Sequence, residues 1–345
     1  MSDFRLRLEQ FLSARHEPID IDQLTPDAST REYFRVGWSG AKAIACVYPD
    51  AFVVAEQSYL DVTKLFLECG LPVAEVLDHD EKLGVIVLED LGDSILREEI
   101  SEADPESRED LINNAITLIP SIQAVTKAAY DMKSIASRLK FDEEKLLWEL
   151  DFFKTHYFTT YRSEPLSADD DAKLVKEFTE ISRELESKAK VLCHRDFHAA
   201  NLMLDGENRL RIIDHQDARI GSAAYDLVSL LLDRVTEPPT AEWLAEKRRF
   251  FLTERERIGL GHIDEAEFAE EFRLQTIQRC LKAVGTFSFQ SAKRGKTYFV
   301  PFIKPMFEIV VRAIENLDRF PHLRGIIEKQ IFRNIPVDNT QNWLY

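Results

Sequence analysis

The stretch Val191-Leu192-Cys193-His194-Arg195-Asp196-Phe197-His198-Ala199-Ala200-Asn201-Leu202-Met203-Leu204 decides how this 345-residue chain is read. It is read together with Arg211-Ile212-Ile213-Asp214-His215-Gln216-Asp217 a few positions on. Apolar runs at 201–204 and 210–213 flank Asp205-Gly206-Glu207-Asn208, a turn-forming set, so the expected local structure is a β-hairpin. A hairpin brings Asn201, where one strand begins, beside Asp214, where the other ends. Asp196 falls in the loop just before it, and three oxygen-bearing side chains then converge at one mouth.

Phosphoryl transfer needs such a grouping. A nucleotide with a hard divalent cation requires oxygen ligands, and a carboxylate plus an amide oxygen hold magnesium without enclosing it. A separate carboxylate beside the acceptor hydroxyl orients it and accepts its proton. The H-R-D-x-x-x-x-N spacing followed by a strand-ending Asp meets both demands. The plain alternative is a buried polar loop whose Asp and Asn side chains merely cap turns.

Upstream, the first third of the chain mixes strand and helix. Phe4, Leu8 and Leu12 recur at helical spacing, and two strands are expected at 33–38 and 42–48 around the turn Gly37-Trp38-Ser39-Gly40. A helix is expected over 52–69, stopped by Gly70 and Pro72. Strands at 73–77 and 84–88 follow, with a turn at 79–82. After residue 90 strand signals nearly vanish, an acidic loop is expected at 101–106, and helical patterns take over at 107–129, 142–162, 167–188, 223–234, 241–258, 264–292 and 302–318. The shift predicts a small nucleotide-binding lobe at 1–90 and a larger catalytic and acceptor-binding lobe at 91–345.

Composition excludes several classes. Acidic residues outnumber basic ones 61 to 44, for a formal charge of −17, which argues against binding nucleic acid by bulk charge. The most apolar helical stretch, 223–232, carries Asp226 and is far shorter than the ~20 residues of a membrane span, so no membrane partner is expected. The charged start Met1-Ser2-Asp3-Phe4-Arg5 does not read as a secretory signal. Cys46, Cys69, Cys193 and Cys280 form no C-x-x-C pair, and reduced cysteines in a cytoplasmic protein are expected.

The motif resembles the aminoglycoside phosphotransferase branch of the protein-kinase-like fold, which includes choline, homoserine and sugar kinases. The resemblance implies an α+β, two-lobed fold with a small antiparallel-sheet N-lobe and a larger, mostly helical C-lobe. It implies ATP and Mg2+ as cofactors, Asp196 as catalytic base, and Asn201 and Asp214 as magnesium ligands. Glu89 to Leu91 would be the hinge that pairs with adenine through backbone groups. His215 stands where protein kinases have the Phe of D-F-G.

Three further segments resemble the anomeric N-acetylmuramate/N-acetylglucosamine kinases of bacterial cell-wall recycling. They are 27–35 (Asp-Ala-Ser-Thr-Arg-Glu-Tyr-Phe-Arg), 213–221 with 225–231, and 278–287. The implied reaction is ATP-dependent phosphorylation of a sugar's anomeric hydroxyl, with a small-molecule sugar and ATP as partners.

Two departures stand out. No glycine lies between Asp27 and Val36, so Ser29 and Thr30 would supply hydroxyl and N–H donors to phosphate in place of a glycine-rich loop. The strand 44–48 lacks the phosphate-binding lysine that related kinases place there. Lys42, Arg31 and Arg35 are the candidate replacements, and each also reads as a solvated surface charge.

On the acceptor side, Arg195, Gln216, Asp217, Arg219, Tyr225 and Arg279 are the candidates, since amides, carboxylates and guanidinium groups pair with sugar hydroxyls, an N-acetyl group or a lactyl carboxylate. Asp226 also reads as a helix-start residue. Arg279 and Lys282 either point inward or snorkel. His194, His198 and His215 fall within 22 residues, but a zinc-binding i, i+4 pair needs a helix where turn signals predict a loop. Two other functions keep the motif: an aminoglycoside, choline-like or homoserine-like kinase, and a pseudokinase that binds nucleotide without transferring phosphate.

Overall fold

Buried side chains alternate along residues 32–47, and the structure, a computed structural model that describes residues 3–24 and 30–332, folds this stretch as a hairpin. Among the described residues ten strands follow in chain order. They are β1 Ile21–Leu24, β2 Glu32–Trp38, β3 Ala41–Val47, β4 Val76–Asp80, β5 Val85–Glu89, β6 Ser94–Ile95, β7 Val191–Cys193, β8 Leu202–Leu204, β9 Leu210–Ile212 and β10 Arg219–Gly221. Two compact units result. One runs up to Leu139 and takes back Ala199–Ala218; the other comprises Lys140–His198 and the residues from Arg219 onward.

The first unit is built on an antiparallel sheet ordered β1-β2-β3-β5-β4. On one face Phe34, Val36, Ala43, Ala45, Val47, Val85 and Val87 meet Leu8, Phe11 and Leu12 of the helix Asp3–Ala14. On the other, Ile86 and Leu88 pack with Tyr59 of the helix Ser58–Glu68. Cover on both faces explains why β5 reads Val-Ile-Val-Leu without a polar interruption. Arg7 pins its helix to the sheet by donating to the carbonyls of Tyr48 (2.7 Å) and Leu83 (2.8 Å).

A second sheet in this unit, ordered β6-β8-β9, contains the hairpin read from 201–213. Its turn is held by the Asp205 carboxylate, which accepts the N–H groups of Glu207 and Arg209 at 3.0 Å each. Arg211 on β9 donates to the Glu89 carboxylate (2.6 Å) and to the Val73 carbonyl (2.9 Å), which ties hairpin to main sheet.

Several expected boundaries shift. β4 begins at Val76, so His79 and Asp80 belong to it and the turn moves to 81–84. The expected helix 52–69 splits into a 3-10 turn at Val54–Glu56 and the helix Ser58–Glu68, because the Gln57 side chain caps the second by accepting from Tyr59 N–H. The acidic loop expected at 101–106 is mostly helix. Leu96–Glu102 is helical, and Asp104 accepts the N–H groups of Glu106 and Ser107 to start the helix Pro105–Ala124. The acidic residues there serve helix N-termini. The expected helix 142–162 becomes an α-helix, Glu143–Lys154, running into a π-helix, Thr155–Tyr161. The strand β1 and the helix Pro321–Ile331 carry too weak a pattern to be read in advance.

The second unit is helical around the long helix Glu265–Arg294, whose middle is buried on nearly all sides. Gly285 on this helix lets Glu143–Lys154 approach closely: a Cβ there would lie 2.7 Å from Cα of Phe153 and 3.0 Å from its N. A short pair, β7 against β10, matches Cys193 with Arg219 and Val191 with Gly221, and the loop that carries Asp196 leaves the end of β7. Gly285→Ala is expected to lower unfolding free energy by about 1–3 kcal/mol through overpacking, read from the midpoint of urea denaturation. An unchanged midpoint would show that the two helices have room to separate.

Candidate active site

In the second unit, β7 ends at Cys193 and delivers residues 194–198 as a loop, not as the helix a zinc-binding pair would need. Asp226 fixes that loop. It is fully buried, and its carboxylate accepts the backbone N–H groups of His194 (2.7 Å) and Arg195 (3.0 Å). Arg195 takes a left-handed backbone (φ 85°), a conformation a non-glycine residue keeps only where its surroundings impose it. Burial raises the Asp226 carboxyl to about 6, against the pull of His194 and the two N–H bonds toward the ionised form.

Asp196 follows in the loop, and three cations surround it. Arg279 Nη2 donates to its Oδ1 at 3.2 Å, Lys282 Nζ stands 3.7 Å from the same oxygen, and Arg195 Nη1 lies 3.6 Å from Oδ2. Burial would raise the Asp196 carboxyl, but Lys282, Arg195 and Arg279 together hold it far below the usual carboxylate range. Its ionised form is therefore strongly favoured. Arg279 is oriented by Ser229 Oγ (3.1 Å) and by the Tyr225 ring, whose centroid is 5.9 Å from its guanidinium carbon. Next to Arg279, Gln278 donates to the buried Glu149 carboxylate at 2.8 Å. Arg279 and Lys282 thus both turn inward. Arg219, on β10, places its guanidinium 5.3 Å from the Phe141 ring.

In the first unit, the hairpin puts Asn201 and Asp214 at the same end: the Ile213 N–H donates to the Asn201 carbonyl at 3.1 Å. Asp214 has a left-handed backbone (φ 59°), and its Oδ1 accepts from Gln216 Nε2 (2.9 Å) and Arg31 Nη2 (3.3 Å). Its other oxygen accepts no hydrogen bond among the described residues, and the side chain is 39% exposed. An open carboxylate oxygen is a donor that fits magnesium, which keeps most of its shell for water and phosphate. His215 behind it is buried. Its Nε2 pairs with Thr63 Oγ1 at 2.7 Å, and its ring packs between Tyr59 and Phe66, so an imidazole fills an aromatic position.

The cation candidates separate. Arg31 lies 5.7 Å from the rings of both Tyr33 and Tyr48 and reaches Asp214. Arg35 is taken up by Asp90, to which it donates at 2.7 and 3.1 Å, and by Asp93. Lys42 and Thr30 are exposed, and Ser29 lies outside the described residues. Glu89 ends β5 with its N–H donated to the Glu75 carbonyl (2.9 Å) and its carboxylate on Arg211, while Leu91 is buried. Asp217 is half-buried in the first unit.

Two residues named in the sequence have no settled role there. Asp226 reads as a helix-start residue, yet the cap is Ala224 and the carboxylate serves the Asp196 loop. The available signal was an acid inside the otherwise apolar run 223–232. Lys282 was left without a direction; Gln278, Arg279 and Lys282 interrupting a buried helix were the clue. Asp226→Ala is expected to cost about 2–4 kcal/mol of stability, since two buried N–H groups lose a charged acceptor, and Asp226→Asn less. The raised carboxyl means that the folded chain binds this proton more tightly than the unfolded one. Stability of the wild type relative to Asp226→Asn should therefore fall as pH rises from ~4, the ordinary carboxyl value, to about 6, and be level above it. A difference independent of pH over that window would contradict the assignment.

Known proteins resemble this chain along most of its length. Residues 20–260 match the description of the phosphotransferase enzyme family. An N-acetylmuramate/N-acetylglucosamine kinase of Neisseria meningitidis serogroup B is 29% identical over 319 residues, 90% of this chain and 91% of that protein. Among solved structures, a microcompartment-associated aminopropanol kinase superposes with a TM-score of 0.62 at 15% identity, covering 91% of this chain and 98% of that one. An ADP-bound aminoglycoside phosphotransferase superposes with a TM-score of 0.54 at 12% identity, covering 90% of this chain and 98% of that one.

Proposed function

Because the chain belongs to the phosphotransferase enzyme family, a group of kinases that use a nucleotide and phosphorylate small-molecule alcohols, we propose that it is a sugar kinase. The reaction moves the terminal phosphoryl group of ATP to the anomeric hydroxyl of N-acetylmuramate or N-acetylglucosamine. The carrying observation is the set of three cations, Arg195, Arg279 and Lys282, around Asp196. Such surroundings favour a neutral or acidic acceptor and repel a polycationic aminoglycoside or a choline-like ammonium. The similarity of the Neisseria meningitidis kinase along 90% of this chain supports the same acceptors.

In this reading Asp196 orients the acceptor hydroxyl and takes its proton late, which suits a loose phosphoryl transition state. So weak a base works best on a hydroxyl that is itself acidic, and an anomeric hydroxyl is more acidic than an ordinary alcohol. Asn201 and Asp214 would hold magnesium, which supplies charge neutralisation at the phosphates when bound. Arg31, beside Asp214, fills the place of the absent strand lysine and weakens the case for a pseudokinase. Ser29 and Thr30 would face the phosphates, and Glu89 and Leu91 the adenine. Arg195, Gln216, Asp217, Arg219 and Arg279 would meet the sugar, whereas Tyr225 is fully buried against Phe141 and acts behind Arg279. No helix among the described residues is long and apolar enough to cross a membrane.

The reading is tested by an ATP-coupled screen of N-acetylmuramate, N-acetylglucosamine, other free sugars, aminoglycosides and choline, with phosphorus NMR of the product. A sugar 1-phosphate is the expected product; turnover confined to an aminoglycoside or choline would overturn the proposal. Asp196→Asn should leave nucleotide binding intact and lower kcat by at least ~100-fold. Turnover within tenfold of wild type would remove it from the chemistry. Asp214→Ala should abolish the magnesium dependence of nucleotide binding, and an unchanged dependence would contradict its role as a ligand.

A further inference from the structure

Lys282 presents an ammonium group that the fold does not use up. Its side chain is only 19% exposed, yet among the described residues the one charged oxygen within 4 Å, Oδ1 of Asp196, stands at 3.7 Å, beyond hydrogen-bonding distance. Among the described residues the ammonium donates no hydrogen bond at all. Its donors stay open to a ligand beside the Asp196 carboxylate.

Asp196 does not need Lys282 as a counter-ion. Arg279 already hydrogen-bonds Oδ1, and Arg195 stands 3.6 Å from Oδ2. One carboxylate thus faces three cations. Glu149, itself matched by Lys145 at 3.8 Å and accepting from Gln278, acts on Lys282 and Arg279 from farther off, and Asp233 on Arg279. An anionic oxygen of a ligand would give the open ammonium an acceptor.

We propose that Lys282 is a catalytic residue whose ammonium binds a non-bridging oxygen of the phosphoryl group in transit to the hydroxyl that Asp196 orients. The proposal rests on the phosphotransferase reading. As the acceptor oxygen bonds to phosphorus, the bond from phosphorus to the bridging oxygen breaks, its electron pair leaves with ADP, and the acceptor proton passes to the Asp196 carboxylate. Lys282 exchanges no proton; it supplies charge where the equatorial oxygens concentrate it.

The competing source of an anionic oxygen is a carboxylate on the acceptor, and two measurements separate them. Lys282→Met, near in size and uncharged, should lower kcat by at least ~100-fold with both N-acetylglucosamine, which has no carboxylate, and N-acetylmuramate, which has one. Lys282→Arg should recover about tenfold of that loss by restoring charge without the ammonium's reach. A loss confined to N-acetylmuramate, or kcat within fivefold of wild type on both, would overturn the proposal.

The second measurement needs no acceptor: binding of ADP with magnesium and aluminium fluoride, a mimic of the phosphoryl group in transfer. Lys282→Met should bind ADP as wild type does and the mimic at least ~30-fold more weakly. Equal binding of the mimic by both proteins would overturn the proposal, whatever the sugar screen returns. Failure of the sugar reading shows instead as wild-type inactivity on both sugars.

Discussion

Everything proposed for the chemistry depends on the grip of a buried carboxylate on a short loop. Asp226 accepts two consecutive backbone N–H groups, those of His194 and Arg195, and so holds Arg195 in a left-handed conformation that a non-glycine residue would otherwise leave. That bend fixes the direction in which Asp196 departs. The energetic cost is visible in Asp226 itself, whose ionised form burial disfavours and the two N–H bonds support. A charged acceptor is worth that cost because a neutral one would hold the strained loop less firmly.

Downstream of this grip, the electrostatics are one-sided. Asp196 is placed among cations that keep it ionised and weakly basic, so in the proposed reaction its service would be placement and late proton acceptance more than abstraction. Asp214, in the other unit, carries one oxygen engaged by Arg31 and Gln216 and one left open. The two acids therefore divide the tasks by environment: one is saturated with fixed positive charge, the other keeps a coordination position for a hard cation.

How far this was legible follows from where each signal resides. The hairpin at 201–213 could be read because turn chemistry is local. The paired strands 32–47 and the helices bounded by caps and glycine came through for the same reason. A composition change near residue 90 is equally local, whereas packing is not: β6 pairs with β8, and so Ala199–Ala218 joins the unit that begins the chain. The acidic stretch 101–106 misled because Asp and Glu are as suited to helix N-termini as to loops. Asp226 and Lys282 stayed ambiguous because their partners lie 31 to 32 and 86 residues away. No periodicity encodes such a pairing.

The central claim is that Asp196 orients the sugar's anomeric hydroxyl for transfer. The most direct measurement is a crystal structure of the chain with magnesium, a non-hydrolysable ATP analogue and N-acetylglucosamine. The account predicts the anomeric oxygen within hydrogen-bonding distance of an Asp196 carboxylate oxygen. A different hydroxyl in that position, or the sugar bound away from Asp196, would contradict it.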